Sequence, residues 1–302
     1  MPQMNYASST KEDKGVLPEN LIDEVLKMDR LLYLKIIQKK ESLTSLQMTR
    51  EILALKDNLR PEQIENKEIT RNNPNINKRL KDLSDLKILN DREGRYSLSP
   101  IGFLIIDELT RLNSNIAVLT EYKNFFDLHD YTVIPPKQFR EIHKLRFAKQ
   151  CKDAIEYTKL INENTQKTEY RICIVSERLH EIPSWIIDEL KRGNLTLKLI
   201  YHFEEPFKLN YDDEEEQRLW KDLTQETLLK VELRYLALKD RNPIGIRIID
   251  RGWAILTLPK TIDNRLDRPL SFEGTNKQFV NWVEDVFLDI WDKSKPLEIR
   301  DR

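Results

Sequence analysis

The sequence has 302 residues, of which 39% are hydrophobic and 33% charged, and 50 Lys and Arg against 51 Asp and Glu give a formal net charge of -1. This length predicts two domains, and the balanced charge excludes a chain that is basic throughout, so any nucleic-acid-binding surface must be a local cluster of cations. No apolar stretch approaches the ~20 residues of a membrane-spanning helix. We therefore expect a cytoplasmic protein with a disordered leader over residues 1–16, since the polar N-terminus lacks the apolar core of a signal peptide.

The two cysteines, Cys151 and Cys173, do not form a CxxC motif, and no histidine lies near enough in sequence to indicate a zinc knuckle. Two buried thiols in a reducing compartment are the favoured interpretation, and a disulfide between them is the alternative. We expect no metal site and no cofactor.

Residues 17–113 carry helical patterns that end in one short hairpin. Pro18–Leu26 resembles a helix start, and a second helix is predicted over Arg30–Lys40. Thr44 and Ser45 can cap a third helix, predicted over Leu46–Leu55, because their hydroxyl groups accept hydrogen bonds from the first free backbone N–H groups.

A fourth helix is predicted after a polar insert over Lys56–Arg71. Asn72-Asn73-Pro74-Asn75 is a helix-start signal, and Ile76, Leu80 and Leu83 then form one apolar stripe at spacings of four and three.

A β-hairpin and a further helix follow. Lys87-Ile88-Leu89 predicts a strand, Asp91-Arg92-Glu93-Gly94 a tight turn, and Arg95-Tyr96-Ser97-Leu98 the return strand. Ser99-Pro100 caps the next helix. This order of helices and hairpin is that of a winged helix-turn-helix.

The same residues resemble a known group of proteins. Arg79-Leu80-Lys81-Asp82-Leu83, Leu86-Lys87-Ile88-Leu89 and the segment from Gly94 to Gly102 closely resemble archaeal winged-helix regulators, with their GxYxLTPxG hairpin. Phe125-Phe126-Asp127-Leu128-His129-Asp130 with Ile134-Pro135, and the segment from Trp282 to Phe287, resemble the methanogen filament-regulator type (the methanogenesis regulatory family). This resemblance implies a DNA-binding transcription regulator with an effector domain, and it implies no known ligand.

A recognition helix places polar side chains in the major groove of DNA, and the wing contacts phosphates. From Arg71 to Arg95 the chain has seven Lys and Arg against four acids, which is the required local excess of cations. We predict base contacts for Asn75, Asn77, Lys78 and Arg79, and phosphate contacts for Lys81, Arg92 and Arg95. The alternative is a winged helix that docks another protein in a transcription-associated complex.

Near-heptad spacing predicts one long helix that continues through residues 114–130. Its apolar positions are Ile101, Ile105, Leu109, Leu112, Ile116 and Leu119. The stripe can pack within the monomer or pair with a second copy, and we favour a homodimer because two recognition helices would then meet two half-sites.

Residues 131–302 alternate between strand and helix patterns, which predicts a mixed α/β domain with a sensing or oligomerising role. The predicted fold is thus α+β: an N-terminal winged helix-turn-helix, a long connecting helix and a C-terminal mixed α/β regulatory domain. A pocket for an unknown effector is predicted at strand ends and turns. Its candidate residues are Tyr201, His202, Arg247, Asp250, Arg251 and Trp253. Trp253 can instead fill the core.

We predict that the chain is not an enzyme. None of its four histidines lies in an HExxH or HxK motif, and no GxSxG, Walker or GxGxxG motif occurs. His129 beside Asp130 can be a charge-relay pair, but a structural histidine at a domain junction is the favoured interpretation.

Overall fold

The computed structural model describes residues 28–176, 184–203, 231–237 and 243–296. The chain divides into two compact units, Met1–Thr110 and Arg111–Arg302. The predicted leader and the helix predicted over Pro18–Leu26 lie outside the described residues. Within them, no helix is long and apolar enough to cross a membrane. The prediction of an α+β fold is confirmed, since both units combine helices with a sheet.

The described part of the first unit places a three-stranded antiparallel sheet, in the order β1-β3-β2, among its helices. The elements are α1 (Met28–Lys40), β1 (Ser42–Thr44), α2 (Ser45–Asp57), α3 (Asn66–Asp85), β2 (Leu89–Arg92), β3 (Arg95–Leu98) and α4 (Pro100–Glu121), whose second half belongs to the second unit. Its core is formed by the apolar stripes of α1, α2 and α3 and by the inward residues of the hairpin, among them Leu34, Met48, Leu80 and Tyr96.

Local side-chain chemistry sets several of these boundaries as predicted. The Thr44 hydroxyl accepts a hydrogen bond from the Gln47 backbone at 3.3 Å, and the Gln47 side chain accepts one from the Thr44 backbone at 2.9 Å, which is a complete capping box. The Ser99 hydroxyl accepts from the Gly102 backbone at 3.0 Å and so caps α4. Glu93 and Gly94 both have positive φ, as a two-residue hairpin turn requires.

The helix predicted to start at Asn72–Asn75 begins earlier, at Asn66. Pro74 therefore lies inside α3, where it removes one backbone hydrogen bond to the Thr70 carbonyl. Pro74 and Thr70 are both exposed, so water can donate a hydrogen bond to the Thr70 carbonyl instead. Asn72 also uses its side chain within the helix, donating to the Glu68 carbonyl at 2.9 Å. The prediction of the helix start was wrong because Asn and Pro are typical of helix starts, whereas here the exposed surface tolerates them.

Gly102 lies at a close approach between α4 and the start of the hairpin. A Cβ atom at this position would meet the Ile88 carbonyl oxygen at 2.2 Å, so the backbone would have to move to admit any other residue.

In the second unit, the described strands form one eight-stranded sheet in the order β11-β7-β6-β5-β8-β9-β10-β4. The strands are β4 (Lys149–Gln150), β5 (Arg171–Ser176), β6 (Thr196–Phe203), β7 (Val231–Ala237), β8 (Gly245–Ile249), β9 (Trp253–Thr257), β10 (Phe272–Gly274) and β11 (Lys295–Pro296). The α-helices in the described part of this unit are α5 (Lys123–Leu128), α6 (Pro136–Phe139), α7 (Ala154–Thr165), α8 (Ser184–Lys191) and α9 (Lys277–Lys293).

The central strands β5, β6 and β7 run parallel, and β8 pairs antiparallel with β5. One face of the sheet packs against α9, whose buried residues include Trp282 and Phe287. The other face packs against α7 and α8, through residues such as Ile161 and Ile187. Because both faces are covered, β5 and β8 are buried along almost their whole length.

The two cysteines are free and buried in different clusters, Cys173 on the α9 side of the sheet and Cys151 on the other. Burial raises the pKa of each thiol to about 11. Because the thiolate is the reactive form, we expect iodoacetamide at pH 7.5 to modify neither cysteine in the folded protein and both in guanidinium. Mass spectrometry checks this, and rapid alkylation of the folded protein would contradict the burial of the thiols.

Candidate nucleic-acid interface

The solvent-facing side of α3 carries a row of cationic and amide side chains. Lys67, Arg71, Asn75, Lys78 and Lys81 are all exposed, and their spacings of four, four, three and three place them on one side of the helix. We call these five residues the α3 basic face. The buried residues of α3, Ile69, Ile76, Leu80 and Leu83, lie on its opposite side. The acids of α3 lie towards its two ends: the exposed Glu68 is in the first turn, Asp82 pairs with Arg30 of α1 at 3.4 Å, and the exposed Asp85 is at the carboxyl end.

Two of the predicted base-contacting residues, Arg79 and Asn77, form hydrogen bonds with other residues of the first unit. Arg79 donates a hydrogen bond from Nη1 to the Tyr33 hydroxyl of α1 at 2.8 Å. The Asn77 Oδ1 accepts one from the Tyr96 hydroxyl of β3 at 3.2 Å. These two contacts fix the rotation of α3 against α1 on one side and against the hairpin on the other. Both residues are therefore placed to position the basic face.

The hairpin contributes exposed charges of both signs. Arg92 and Arg95 are exposed as a wing contact requires, and Arg95 donates from Nη2 to the Ser42 hydroxyl at 3.1 Å. Asp91 and Glu93 are exposed beside them, and the Asp91 carboxylate accepts from the Gly94 backbone in the turn. The positive charge of this surface is therefore concentrated on α3.

The Tyr96 hydroxyl stays protonated at neutral pH and can keep donating to Asn77. Burial, followed by the negative charge of Asp91, raises the pKa of this phenol above its ordinary value. The link between helix and hairpin is therefore insensitive to pH over the physiological range.

Two exposed cations of α3 do not belong to the predicted site. Lys67 and Arg71 fall in the predicted polar insert, and they join the basic face only because the helix begins at Asn66. The sequence signal that could have found them is the continuation of the helical period through Ile69 to Ile76.

The six residues of the predicted effector pocket lie at different places in the sheet. Tyr201 and His202 lie near the carboxyl end of β6, whereas Asp250 and Arg251 form the turn after β8. β8 runs antiparallel to β5, and β5 runs parallel to β6. The turn after β8 therefore lies at the end of the sheet where β6 begins, opposite to the end where Tyr201 and His202 lie. The structure therefore does not bring the six together.

The Asp250 carboxylate holds the backbone where β5 begins. It accepts hydrogen bonds from the backbone N–H groups of Glu169, Tyr170 and Arg171 at 2.6, 3.1 and 2.7 Å. The Tyr170 hydroxyl donates to the Asp250 carbonyl at 2.6 Å. Asp250 thus acts as an anchor between the β8–β9 turn and β5.

The neighbouring candidates also have structural partners. Arg251 and Arg171 both form ion pairs with the buried carboxylate of Glu284 on α9, at 3.3 and 2.8 Å. Trp253 is buried and donates from its ring nitrogen to Glu273 at 3.0 Å, in agreement with the alternative that it fills the core. Arg247 is buried on the α7 side of the sheet and donates to the Thr165 hydroxyl at 3.3 Å.

His129 pairs with Asp267 instead of its neighbour Asp130. Its Nε2 lies 3.1 Å from Asp267 Oδ2, its Nδ1 lies 2.7 Å from the Phe125 carbonyl, and its ring stacks on Phe125 at 3.9 Å between centroids. Asp130 instead caps the turn at Thr132. These contacts give His129 a structural role, as expected. Over the described ranges, no group of three or more His, Cys, Asp or Glu residues could hold a metal ion.

Comparisons with known proteins give structural similarities at low sequence identity. No protein-family model and no curated protein matches the chain. The archaeal chromatin protein TrmBL2, whose structure shows a novel mode of DNA binding, is 13% identical with a TM-score of 0.36, over 74% of this chain and 83% of that one. Nuc from Salmonella typhimurium, a phospholipase D family member, is 11% identical with a TM-score of 0.33, over 47% of this chain and 91% of that one.

Phosphatidylserine synthase from Haemophilus influenzae is 16% identical with a TM-score of 0.32, over 50% of this chain and 39% of that one. At these values the similarities do not place the chain in any of the three families. The prediction that the chain is not an enzyme is nevertheless contradicted, because enzymes such as this synthase are among the similar structures. That prediction depended on missing motifs, which exclude particular catalytic arrangements and leave others open.

Proposed function

We propose that the chain is a DNA-binding transcription regulator whose first unit is a winged helix-turn-helix. The observation that carries this proposal is the α3 basic face, a row of exposed amide and cationic side chains on one helix. It is supported by the order of elements, in which α2 and α3 precede the β2–β3 hairpin and α4, the order that a winged helix-turn-helix requires.

The residues of the basic face suit two kinds of contact with duplex DNA. Asn75 and Lys78 lie at the middle of α3, where their side chains can meet base edges in the major groove. The cations that flank them, Lys67, Arg71 and Lys81, can neutralise phosphates. Asn77 and Arg79 have the positioning role that their contacts with the hairpin and with α1 give them.

The protein-docking alternative needs an apolar patch on the same surface. Among the residues of α3, none of the exposed side chains is a large hydrophobic one. A charged and amide-rich surface is typical of phosphate contacts and is poor in the aromatic anchors that hold protein partners. DNA is therefore the better-supported partner.

The homodimer belongs to the same proposal, with α4 as its contact. Of the predicted stripe, Ile105 and Leu109 pack against the core of the first unit, and Leu119 packs against that of the second. The other three positions of the stripe are exposed, namely Ile101, Leu112 and Ile116. Apolar side chains at near-heptad spacing are typical of a helix that pairs with a copy of itself.

Introducing charged residues into the exposed apolar stripe of α4 tests whether this helix forms the dimer contact. Replacing Leu112 and Ile116 by glutamate is expected to give a monomer, because the carboxylates would be desolvated at the contact without partners. Sedimentation equilibrium measures the mass. The matched control is the pair Asn113→Glu and Ala117→Glu, which adds the same charge at two exposed positions outside the stripe. A stripe variant that keeps the mass of the wild type, or a wild type that is already a monomer, would contradict a dimer formed through α4.

The DNA proposal itself is tested by the salt dependence of binding. Fluorescence anisotropy with the full chain and a pool of random duplexes gives the dissociation constant from low to physiological salt. The logarithm of the binding constant is expected to fall linearly with the logarithm of the salt concentration, with a slope of roughly -0.9 for each phosphate neutralised. The absence of binding at low salt would overturn the proposal and move protein docking to first place.

A further inference from the structure

A polar groove of about 450 Å³ lies in the second unit, between α9 and the segment that includes α6. This volume is in the range of small-molecule sites. One wall is formed by α9, where Asp285, Asp289 and Asp292 lie on one side of the helix at spacings of four and three. The other wall carries Lys137 and Arg140, and Arg111 of α4 also lines the groove. The groove is separate from the α3 basic face and from the six residues of the predicted effector pocket.

Gln138 is one of the residues that line this groove, and its buried side-chain oxygen has no hydrogen-bond donor in the described part of the chain. Gln138 is 7% exposed, and its Oε1 has no partner among the described residues. Its orientation is fixed, because Nε2 donates to the Asp285 carbonyl at 3.3 Å and the Gln138 carbonyl accepts from the Trp282 ring nitrogen at 2.9 Å. Exchanging the amide oxygen and nitrogen would place two acceptors together, so the oxygen is the atom without a partner. A ligand N–H or O–H group would satisfy it.

The groove also holds charges of both signs that have no counter-charge. Two of its acids are paired within the protein, Asp289 with Lys293 and Glu141 with Lys144. Four other lining side chains take part in no ion pair with any described residue, namely Asp285, Asp292, Lys137 and Arg140. A ligand that suits this arrangement carries a cationic donor for the α9 wall and an anionic group for the opposite wall. A neutral polyol would leave both walls without counter-charges, and a polyamine would leave the cationic wall without one.

The geometry points to a site for a free amino acid, held through its carboxylate by Lys137 and Arg140 and through its ammonium group by Asp285 and the Gln138 Oε1. The carboxylate and the ammonium group of the ligand would then lose water and form contacts with charged or buried groups of the protein instead. The volume of the groove leaves room for a side chain of the ligand beside Leu288, which also lines it. The site does not depend on DNA binding, although an amino acid bound there would be a candidate for the effector of the proposed regulator.

Calorimetry on the full chain without DNA tests the site, with the twenty free L-amino acids, sucrose and putrescine as probes. At least one amino acid is expected to bind, with a dissociation constant between about 10 μM and 1 mM. Lys137→Gln and Asp285→Asn should each weaken this binding about tenfold or more, because each leaves one charge of the ligand without its partner. Both positions are exposed, so neither substitution is expected to unfold the protein.

Lys152→Gln removes an exposed lysine of the same unit outside the groove, and it should leave the affinity unchanged. The inference is overturned if no amino acid binds at millimolar concentration, if both groove variants bind as the wild type does, or if putrescine or sucrose binds in place of amino acids. Because no DNA is present, any of these results leaves the proposed DNA binding to its own test.

Discussion

Replacing Lys67, Arg71 and Lys78 by glutamine is expected to weaken binding to duplex DNA about 100-fold near 0.1 M salt. Each of these exposed side chains of α3 can neutralise one phosphate or contact a base edge. Their loss should also reduce the steepness of the salt dependence by about 1.8, since Lys67 and Arg71 can each neutralise a phosphate that contributes roughly 0.9 to the slope. Anisotropy titrations at several salt concentrations measure both effects.

The matched control removes the same charge elsewhere. Lys152, Lys159 and Lys167 are exposed lysines of the second unit, and replacing them by glutamine lowers the net charge by the same amount. We expect this variant to bind DNA nearly as the wild type does. Equal losses of DNA affinity in the two triple variants would mean that binding depends only on the net charge of the protein. The α3 basic face would then have no special role.

Replacing Asp250 by alanine is expected to lower the free energy of unfolding by about 2–4 kcal/mol. Three backbone N–H groups at the start of β5 would lose their carboxylate acceptor. Asp250 also has a φ of 49°, a left-handed conformation that aspartate and asparagine tolerate better than alanine. Asp250→Asn should therefore cost less than Asp250→Ala. Urea denaturation of the three proteins measures the differences.

Asp263→Ala is the control for this prediction. The Asp263 carboxylate accepts one backbone hydrogen bond, from Arg265 at 3.0 Å in an exposed turn, so its loss should cost about 1 kcal/mol or less. If Asp250→Ala were as stable as the wild type, Asp250 would not be the anchor of β5, and a ligand-binding role for it would regain support.

The sequence predicts best those structural features that depend on contacts between a side chain and residues adjacent to it in the chain. Thr44, Ser99 and Gly94 are placed correctly because caps and tight turns depend on a few adjacent residues. Pro74 shows the limit of such signals, since it marks a helix start in most contexts and here lies inside α3. Whether a proline interrupts a helix depends on tertiary packing on the two sides of it, which local sequence does not contain.

The roles of individual site residues depend on contacts distant in sequence. Arg79 bonds to Tyr33 and Asn77 to Tyr96, and neither partner could be inferred from the residues around α3. The separation of the Asp250 turn from the end of β6 required the order and direction of the strands, which pair segments far apart in the chain. Gln138 carries no sequence signal, because its significance lies in its burial.

Site-directed crosslinking shows whether α3 contacts duplex DNA. Because Cys151 and Cys173 are buried, a cysteine introduced by Asn75→Cys on the α3 basic face can be labelled selectively with a photoactivatable reagent. Lys152→Cys, in the second unit, is the matched control. We expect light to crosslink the Asn75→Cys protein to duplex DNA in a salt-sensitive manner and the Lys152→Cys protein hardly at all. Equal crosslinking at the two positions, or none at Asn75→Cys while DNA is bound, would contradict recognition through α3.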